Sequence, residues 1–433
     1  MRSTWIPAAF AVLAGATSLT AQQNVTLPAR TNELTEKPTP VFSVGREEGQ
    51  SWEMLSSVTS LAFDAQDNLY VLDSGNRRVL AFDNTGKFVR QIGKEGGGPG
   101  EFSAPMGMAV LSDGDLLVSD LMRGFAIFTP AGEYRHQIPA GPSGAALGGT
   151  GVQAGPGGDV VLRTGGLLIR GPGEGPPEMP KPFIRRMALS GVTTRDGATT
   201  AATAPRHTDL HEIPSSGNPV VRSSRGGDTR MVINAPAMFN PSFSWGVLPD
   251  GGIAISQAAE YAVQVKDPSG RLVRTIGRTD RPRRVTKADQ DAAREQRRKV
   301  LSGEASGGGT RIAVTMSGGG APNVSFGGGD RAAMPPERIE EELKSMTFAE
   351  VMPIVQAITT DPVGRIWVER TPARVGDNGP IELITAEGRY IGTVSGVRRP
   401  GAVNANGTLA AWVERDDLDV ERIVVRRLPA NWK

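Results

Sequence analysis

The residues best suited to chemistry are four carboxylates that close short β-prone runs: Asp73, Asp120, Glu369 and Glu414. An arginine follows each of them, at Arg77, Arg123, Arg370 and Arg415, and Ser256 and Thr164 stand at comparable places. Carboxylates gathered at one end of a symmetric body would offer the oxygen donors that a hard cation such as Ca²⁺ prefers. The arginines would then serve as rim contacts for a ligand, oriented by the acids beside them. The same residues also admit a plainer role, in which the acids satisfy turn N–H groups and the arginines neutralise them. Exposed pairs of that kind contribute about 0–1 kcal/mol, so pairing alone implies no activity.

Other chemistries find little support. The 433 residues contain no cysteine, which removes disulfides, thiolate nucleophiles, Cys-ligated zinc and iron–sulfur clusters. There are three histidines, His136, His207 and His211. His207 and His211 would share a helix face, but Pro205 and Pro214 bracket them and no His-Glu-x-x-His pattern is present. The run Gly96-Gly97-Gly98-Pro99-Gly100 lacks the Gly-Lys-Ser/Thr ending of a phosphate loop and precedes another β segment. No Gly-x-Ser-x-Gly nucleophile elbow occurs. Forty-eight basic against 46 acidic residues leave a net charge of +2, which gives no basis for nucleic-acid binding.

The elements that must position these residues read as strands. Val58–Phe63, Leu69–Leu72, Arg78–Phe82 and Phe88–Ile92 are β-prone runs separated by Asp, Asn and Gly turns, a four-strand meander. The pattern returns at 105–139: Asp73 and Asp120 are 47 residues apart, and Gly86 and Gly132 are 46 apart. Later copies carry Gly252-Ile253-Ala254-Ile255-Ser256 and Gly364-Arg365-Ile366-Trp367-Val368-Glu369. A four-strand repeat of this length is the signature of a propeller blade, and neighbouring blades must complete one another's burial. The blades are assigned to 58–92, 105–139, about 150–235, 240–277, 354–394 and 400–430. The last lacks a fourth strand, which Pro40-Val41-Phe42-Ser43-Val44-Gly45 can provide by closing the ring. A seventh, degenerate blade within 192–239 is the alternative.

The segment Asp73-Ser74-Gly75-Asn76-Arg77-Arg78-Val79-Leu80-Ala81-Phe82-Asp83 resembles the core of an NHL repeat, and Gly96–Pro105 resembles that family's inter-blade connection. More broadly the chain resembles exported bacterial six-bladed β-propellers. The resemblance is clear over 40–139, weaker over 240–277 and 354–430, and poor over 140–239. It implies six blades. It also brings in zinc-dependent amidating lyases, whose blade-end histidines this sequence does not repeat, and metal-using lactonases and related hydrolases.

The expected fold class is therefore all-β: a six-bladed β-propeller of four-stranded antiparallel blades over 40–433, closed by a terminal strand and carrying a partly helical insertion at 279–349. Within that insertion Thr286 is placed to cap a helix running to Lys299, and a second helix begins at Pro335-Pro336-Glu337. A Gly-rich span at 303–329 separates them. Residues 1–21 have the basic start, short apolar centre and small-residue end of a signal peptide, too short to span a bilayer stably, and 22–39 read as a linker. The expected protein is exported, periplasmic or extracellular, and binds a protein, peptide, glycan or small molecule. A metal-assisted hydrolase or lyase with its site at the central channel is the other expectation.

Overall fold

The computed structural model describes residues 22–29, 32–121, 123–139, 151–164, 167–170, 181–189, 206–214, 218–223, 230–235, 237–304, 311–315, 323–327, 334–416 and 420–432. The expected signal peptide and most of the Gly-rich spans at 141–180 and 303–329 lie outside these residues.

The turns explain why the strands fall where they do. In Asp83-Asn84-Thr85-Gly86, one Asp83 oxygen accepts from Thr85 N, Thr85 Oγ1 and Lys87 N at 2.9, 2.6 and 3.0 Å. Asp267-Pro268-Ser269-Gly270 repeats this, with Ser269 N, Ser269 Oγ and Arg271 N at 3.0, 2.6 and 3.1 Å. The closing glycines take φ of +88° and +85°, the left-handed conformation that favours glycine. The Ser269 hydroxyl, with the other donors, holds Asp267 down to a pKa of about 2. A depressed carboxylate stabilises the fold above the ordinary carboxylate range, and that contribution disappears as pH falls through about 2. Asp267→Ala should therefore unfold at a lower temperature than the parent at neutral pH. In a thermal-unfolding series the gap should close as pH approaches 2; a pH-independent gap would contradict this account.

These turns build six blades, each with a four-stranded antiparallel meander at its heart. Blade 1 comprises Val58–Phe63, Leu69–Asp73, Arg78–Phe82 and Phe88–Ile92; blade 2 comprises Pro105–Val110, Leu116–Asp120, Gly124–Phe128 and Tyr134–Ile138. Blade 3 comprises Val152–Ala154, Asp159–Thr164, Phe183–Ala188 and Arg206–Glu212. Blade 4 is Ser244–Val247, Ile253–Ser256, Ala262–Lys266 and Leu272–Gly277, and blade 5 is Val355–Thr360, Arg365–Arg370, Ile381–Thr385 and Tyr390–Val394. Blade 6 takes Ala402–Val403, Leu409–Arg415 and Glu421–Arg427 from the C-terminal end, with Thr39–Val44 from the N-terminal end as its outer strand. The closure pairs Thr39 with Arg427 and Val44 with Ile423.

Six apolar cores lie between consecutive blades. Leu72 and Val79 meet Met108 and Val118 between blades 1 and 2, and Leu69 and Val71 meet Ala411 and Ile423 between blades 1 and 6. The ring is therefore closed, a six-bladed β-propeller. The third blade is shorter than expected: it ends at Glu212, and Asn218–Ser223 and Arg230–Ala235 join Leu167–Arg170 in a separate three-stranded sheet instead of a seventh blade.

Residues 22–39 do more than link. Gln23–Thr26 lies parallel to Leu272–Gly277 as a fifth strand on blade 4. Farther on, Leu34 N donates to Thr393 O and Thr393 N to Asn32 O, both at 2.7 Å, on the outer edge of blade 5.

Strand alternation gives the ring two distinct ends. The first-to-second and third-to-fourth strand turns share one end. The second-to-third turns and the connections between blades share the other, the loop end. The strands flanking 165–182, 213–243 and 278–354 all end there, while 189–205 joins strands at the opposite end. The insertion holds the two expected helices, α1 (Lys287–Ser302), capped by Thr286, and α2 (Pro336–Ser345). They pack through Leu301, Ile339 and Leu343, and Arg298 pairs with Glu340 at 3.0 Å.

Candidate functional site

The strand ladders decide which residues are equivalent between blades. The pairs closing the first hairpins are Phe63–Leu69, Val110–Leu116, Ala154–Val160, Val247–Ile253, Thr360–Ile366 and Val403–Ala410. Four residues beyond the second member of each pair stand Asp73, Asp120, Thr164, Gln257, Arg370 and Glu414. Glu369 and Ser256, aligned by spacing with Asp73, are therefore one position early. Because strand side chains alternate, they face the opposite side of their blade. Glu369 bonds Arg399 at 2.8 Å, whereas Arg370 reaches back toward blade 4.

The acids of this series hold their own blades together. Asp73 is fully buried. One of its oxygens accepts from Ser56 N and Ser57 N at 3.1 and 3.3 Å, and the other from Asn76 Nδ2 and Arg78 Nε at 2.8 and 3.0 Å. Asp120 likewise accepts from Ser103 N and Ala104 N at 2.8 and 2.9 Å. Each carboxylate thus fastens the connection entering its blade. Glu414 forms a two-pronged pair with Arg426 at 2.6 and 2.9 Å. Among the described residues no group of three or more His, Asp or Glu is placed to hold a metal ion.

The four candidate arginines also have protein partners. Arg77 pairs with Glu95, and Arg123 donates to Glu101 O at 3.2 Å. Arg370 bonds Glu382 at 3.1 Å and Asp280 at 2.7 Å, while Glu382, fully buried, also takes Arg278 at 3.2 Å. Arg415 bonds Glu421 at 2.6 Å. Burial pushes the Glu421 carboxyl above its ordinary range, against the opposing pull of Val58 N–H and Arg415. Arg415 and Glu414 line a shallow cleft with Pro40, Phe42 and Arg422.

A different group stands out at the loop end between blades 3 and 4. Arg163, in the second strand of blade 3, faces blade 4, as its neighbour two residues back, Val161, does in the core of that interface. Corresponding positions in the other blades hold Leu72, Ser119, Ser256, Glu369 and Val413, so only Glu369 matches it in carrying charge, and Glu369 is paired. The Arg163 guanidinium lies over the Phe243 ring, 5.8 Å from its centroid. Its Nε is shut off from water without a hydrogen-bond partner, and burial holds the group below its ordinary basicity.

Phe243 also stacks on His211, with ring centroids 5.7 Å apart and planes 10° from parallel. His211 Nδ1 lies 3.0 Å from Lys266 Nζ, and His211 Nε2 lies 3.4 Å from Gln257 Oε1. An ammonium only donates, so Nδ1 accepts and the ring proton sits on Nε2, directed at Gln257. Burial and then the Lys266 charge push His211 below the ordinary imidazole range, which keeps it neutral near pH 7. Burial also lowers Lys266.

Composition and spacing single out none of Arg163, Phe243 and Lys266. The one available signal is a charged residue inside Val160-Val161-Leu162-Arg163, legible only once the ladder aligns the blades.

A family model described as DUF5128, 6-bladed beta-propeller, matches residues 53–127. Solved structures similar to the chain include a gluconolactonase from Xanthomonas campestris, with 10% identity, 86% of this chain and 87% of that one covered, and a TM-score of 0.42. Virginiamycin B lyase from Staphylococcus aureus shows 10% identity, coverage of 86% and 96%, and a TM-score of 0.39. A protein described as exported, from Bacteroides fragilis, shows 9% identity, coverage of 94% and 100%, and a TM-score of 0.44. No curated protein sequence matches the chain.

Proposed function

We propose that the chain is an exported binding module that recognises its ligand on the loop end of the propeller. One observation carries this reading: the connections 165–182, 213–243 and 278–354 all leave the rigid ring at the same end. Binding surfaces are characteristically built this way, from long loops on a scaffold that does not move.

The helical arm is moored there by specific contacts. Ile354 N donates to Ala259 O at 2.8 Å, Met238 N to Thr347 O at 2.8 Å and Ala349 N to Met238 O at 2.9 Å. Arg294 of α1 lies 4.8 Å over the Phe348 ring, and Phe348 meets Phe239 at 5.9 Å. The arm's foot thus rests on the stretch leading to Phe243.

Replacing 286–347 by a short Gly-Ser linker tests the reading. Full-length and arm-less mature protein would be titrated by calorimetry against defined peptide, glycan and small-molecule sets. A ligand bound by the full chain should bind the arm-less ring about tenfold or more weakly, the scale of losing one or two well-packed contacts. Equal affinity in both proteins would remove the arm from recognition.

A further inference from the structure

We propose that the site between blades 3 and 4, centred on Arg163, binds the carboxylate of a small ligand. This rests on the reading of the loop end as a recognition surface and gives that surface a ligand chemistry.

A partly buried guanidinium without a counter-charge is costly, and proteins ordinarily supply an acid or carbonyls to meet it. Here none does so among the described residues. Three acids of blade 3 are engaged elsewhere: Asp209 with Arg185 at 2.5 Å, Glu212 with Lys181 at 2.9 Å and Asp159 with Arg186 at 2.8 Å. With no counter-charge among the described residues, Arg163 is open to an anion from outside. Phe243 adds a cation–π contact, 5.8 Å from the guanidinium carbon to the ring centroid, and a guanidinium is a planar fork suited to bidentate contact.

Lys266, His211 and Gln257 add donors, and the one acid acting on His211, its chain neighbour Glu212, is paired with Lys181. With Lys266 donating to His211 Nδ1 and His211 Nε2–H directed at Gln257 Oε1, the Gln257 amide NH₂ has no acceptor among the described residues and is left to donate to a ligand. Gln257 occupies the position at which blades 1 and 2 carry Asp73 and Asp120, so this inter-blade site presents an amide where those blades present carboxylates. The planar Arg163 cation beside a neutral amide, with the Lys266 ammonium engaged by His211, suits a planar oxyanion, and a carboxylate matches the guanidinium fork in geometry.

The test uses sodium benzoate and inorganic phosphate as probes, each against chloride at equal ionic strength, with mature full-length protein. Benzoate in the millimolar range should raise the melting temperature saturably, by about 2 °C, and calorimetry should give one site. Arg163→Met keeps the packing of the stem and removes the charge; it should weaken benzoate binding by at least about tenfold. Without ligand, Arg163→Met should melt at or above the parent temperature, because it removes an unpaired buried charge. A lower melting temperature would mark Arg163 as structural and overturn the proposal. So would benzoate binding that survives Arg163→Met, the absence of any saturable benzoate effect, or tighter binding of phosphate than of benzoate. If benzoate fails while arm-dependent recognition persists, only the carboxylate site falls and the binding-module reading stands.

Discussion

Asp361→Ala is expected to lower the unfolding free energy by about 3–5 kcal/mol, the cost of breaking a buried ion pair from one side. The Asp361 and Arg365 side chains are 0% and 3% exposed and meet at 2.5 Å. The same carboxylate accepts from Trp367 Nε1 at 2.9 Å and from Arg365 N at 2.9 Å. Arg365 carries the connection onward, donating to Gly407 O at 3.0 Å and Trp432 O at 3.2 Å. Trp432, fully buried, meets Trp367 edge to face at 5.8 Å. Removing the acid leaves a guanidinium and an indole N–H without their shared acceptor in a dry interface. It also loosens the hold on the C-terminal stretch against blades 5 and 6. Denaturant unfolding followed by tryptophan fluorescence measures this directly. A loss below about 1 kcal/mol would mean that water or rearrangement replaces the acid.

The second large effect concerns the other end of the chain. Starting the protein at residue 45 deletes the outer strand of blade 6 and the segments bound to blades 4 and 5. Glu421–Arg427 would become an open edge, with unpaired backbone groups beside the apolar partners of Val44. Leu27 and Leu34, each 4% exposed, would leave the cores they complete. Such an edge invites pairing between chains, so the truncated protein should aggregate or melt at least about 10 °C lower. A peptide spanning 22–44, added during refolding, should recover soluble monomer. A truncated protein that stays monomeric and melts within about 2 °C of the parent would show that closure is dispensable.

The sequence made much of the ring legible, for reasons visible in particular residues. Asp83-Asn84-Thr85-Gly86 and Asp267-Pro268-Ser269-Gly270 are turns whose hydrogen bonds are local, so their residue types declare them. The terminal strand at 40–45 was legible because blade 6 needed a fourth strand, and Thr286 because a cap announces its helix. Register was harder. Val58 pairs with Asp73 and Ser60 with Leu72 across a bulge, and Val355 pairs with Arg370 and Ala357 with Glu369 across another. Matching acid to acid by spacing put Glu369 in the place that the ladder gives to Arg370. Candidate residues chosen for their charge mostly proved to hold connections, as Asp73 does for Ser56 and Ser57. Arg163 was hidden for the converse reason: what distinguishes it is an Nε with no hydrogen-bond partner among the described residues, and no local pattern records that. The segment 22–39 looked like linker because a strand added to an existing edge needs only backbone groups and little apolar patterning.

The route of that N-terminal segment sets an order of assembly. Its binding edges belong to blades 4, 5 and 6, which leave the ribosome last, so the earliest residues stay without their docking sites until synthesis is nearly done. Contacts spanning almost the whole chain are slow to form. The ring therefore seals as a late event, after the inner blades have condensed. A chain halted before blade 6 would carry its opening residues as an unattached tail, open to protease long after blades 1 and 2 have become resistant.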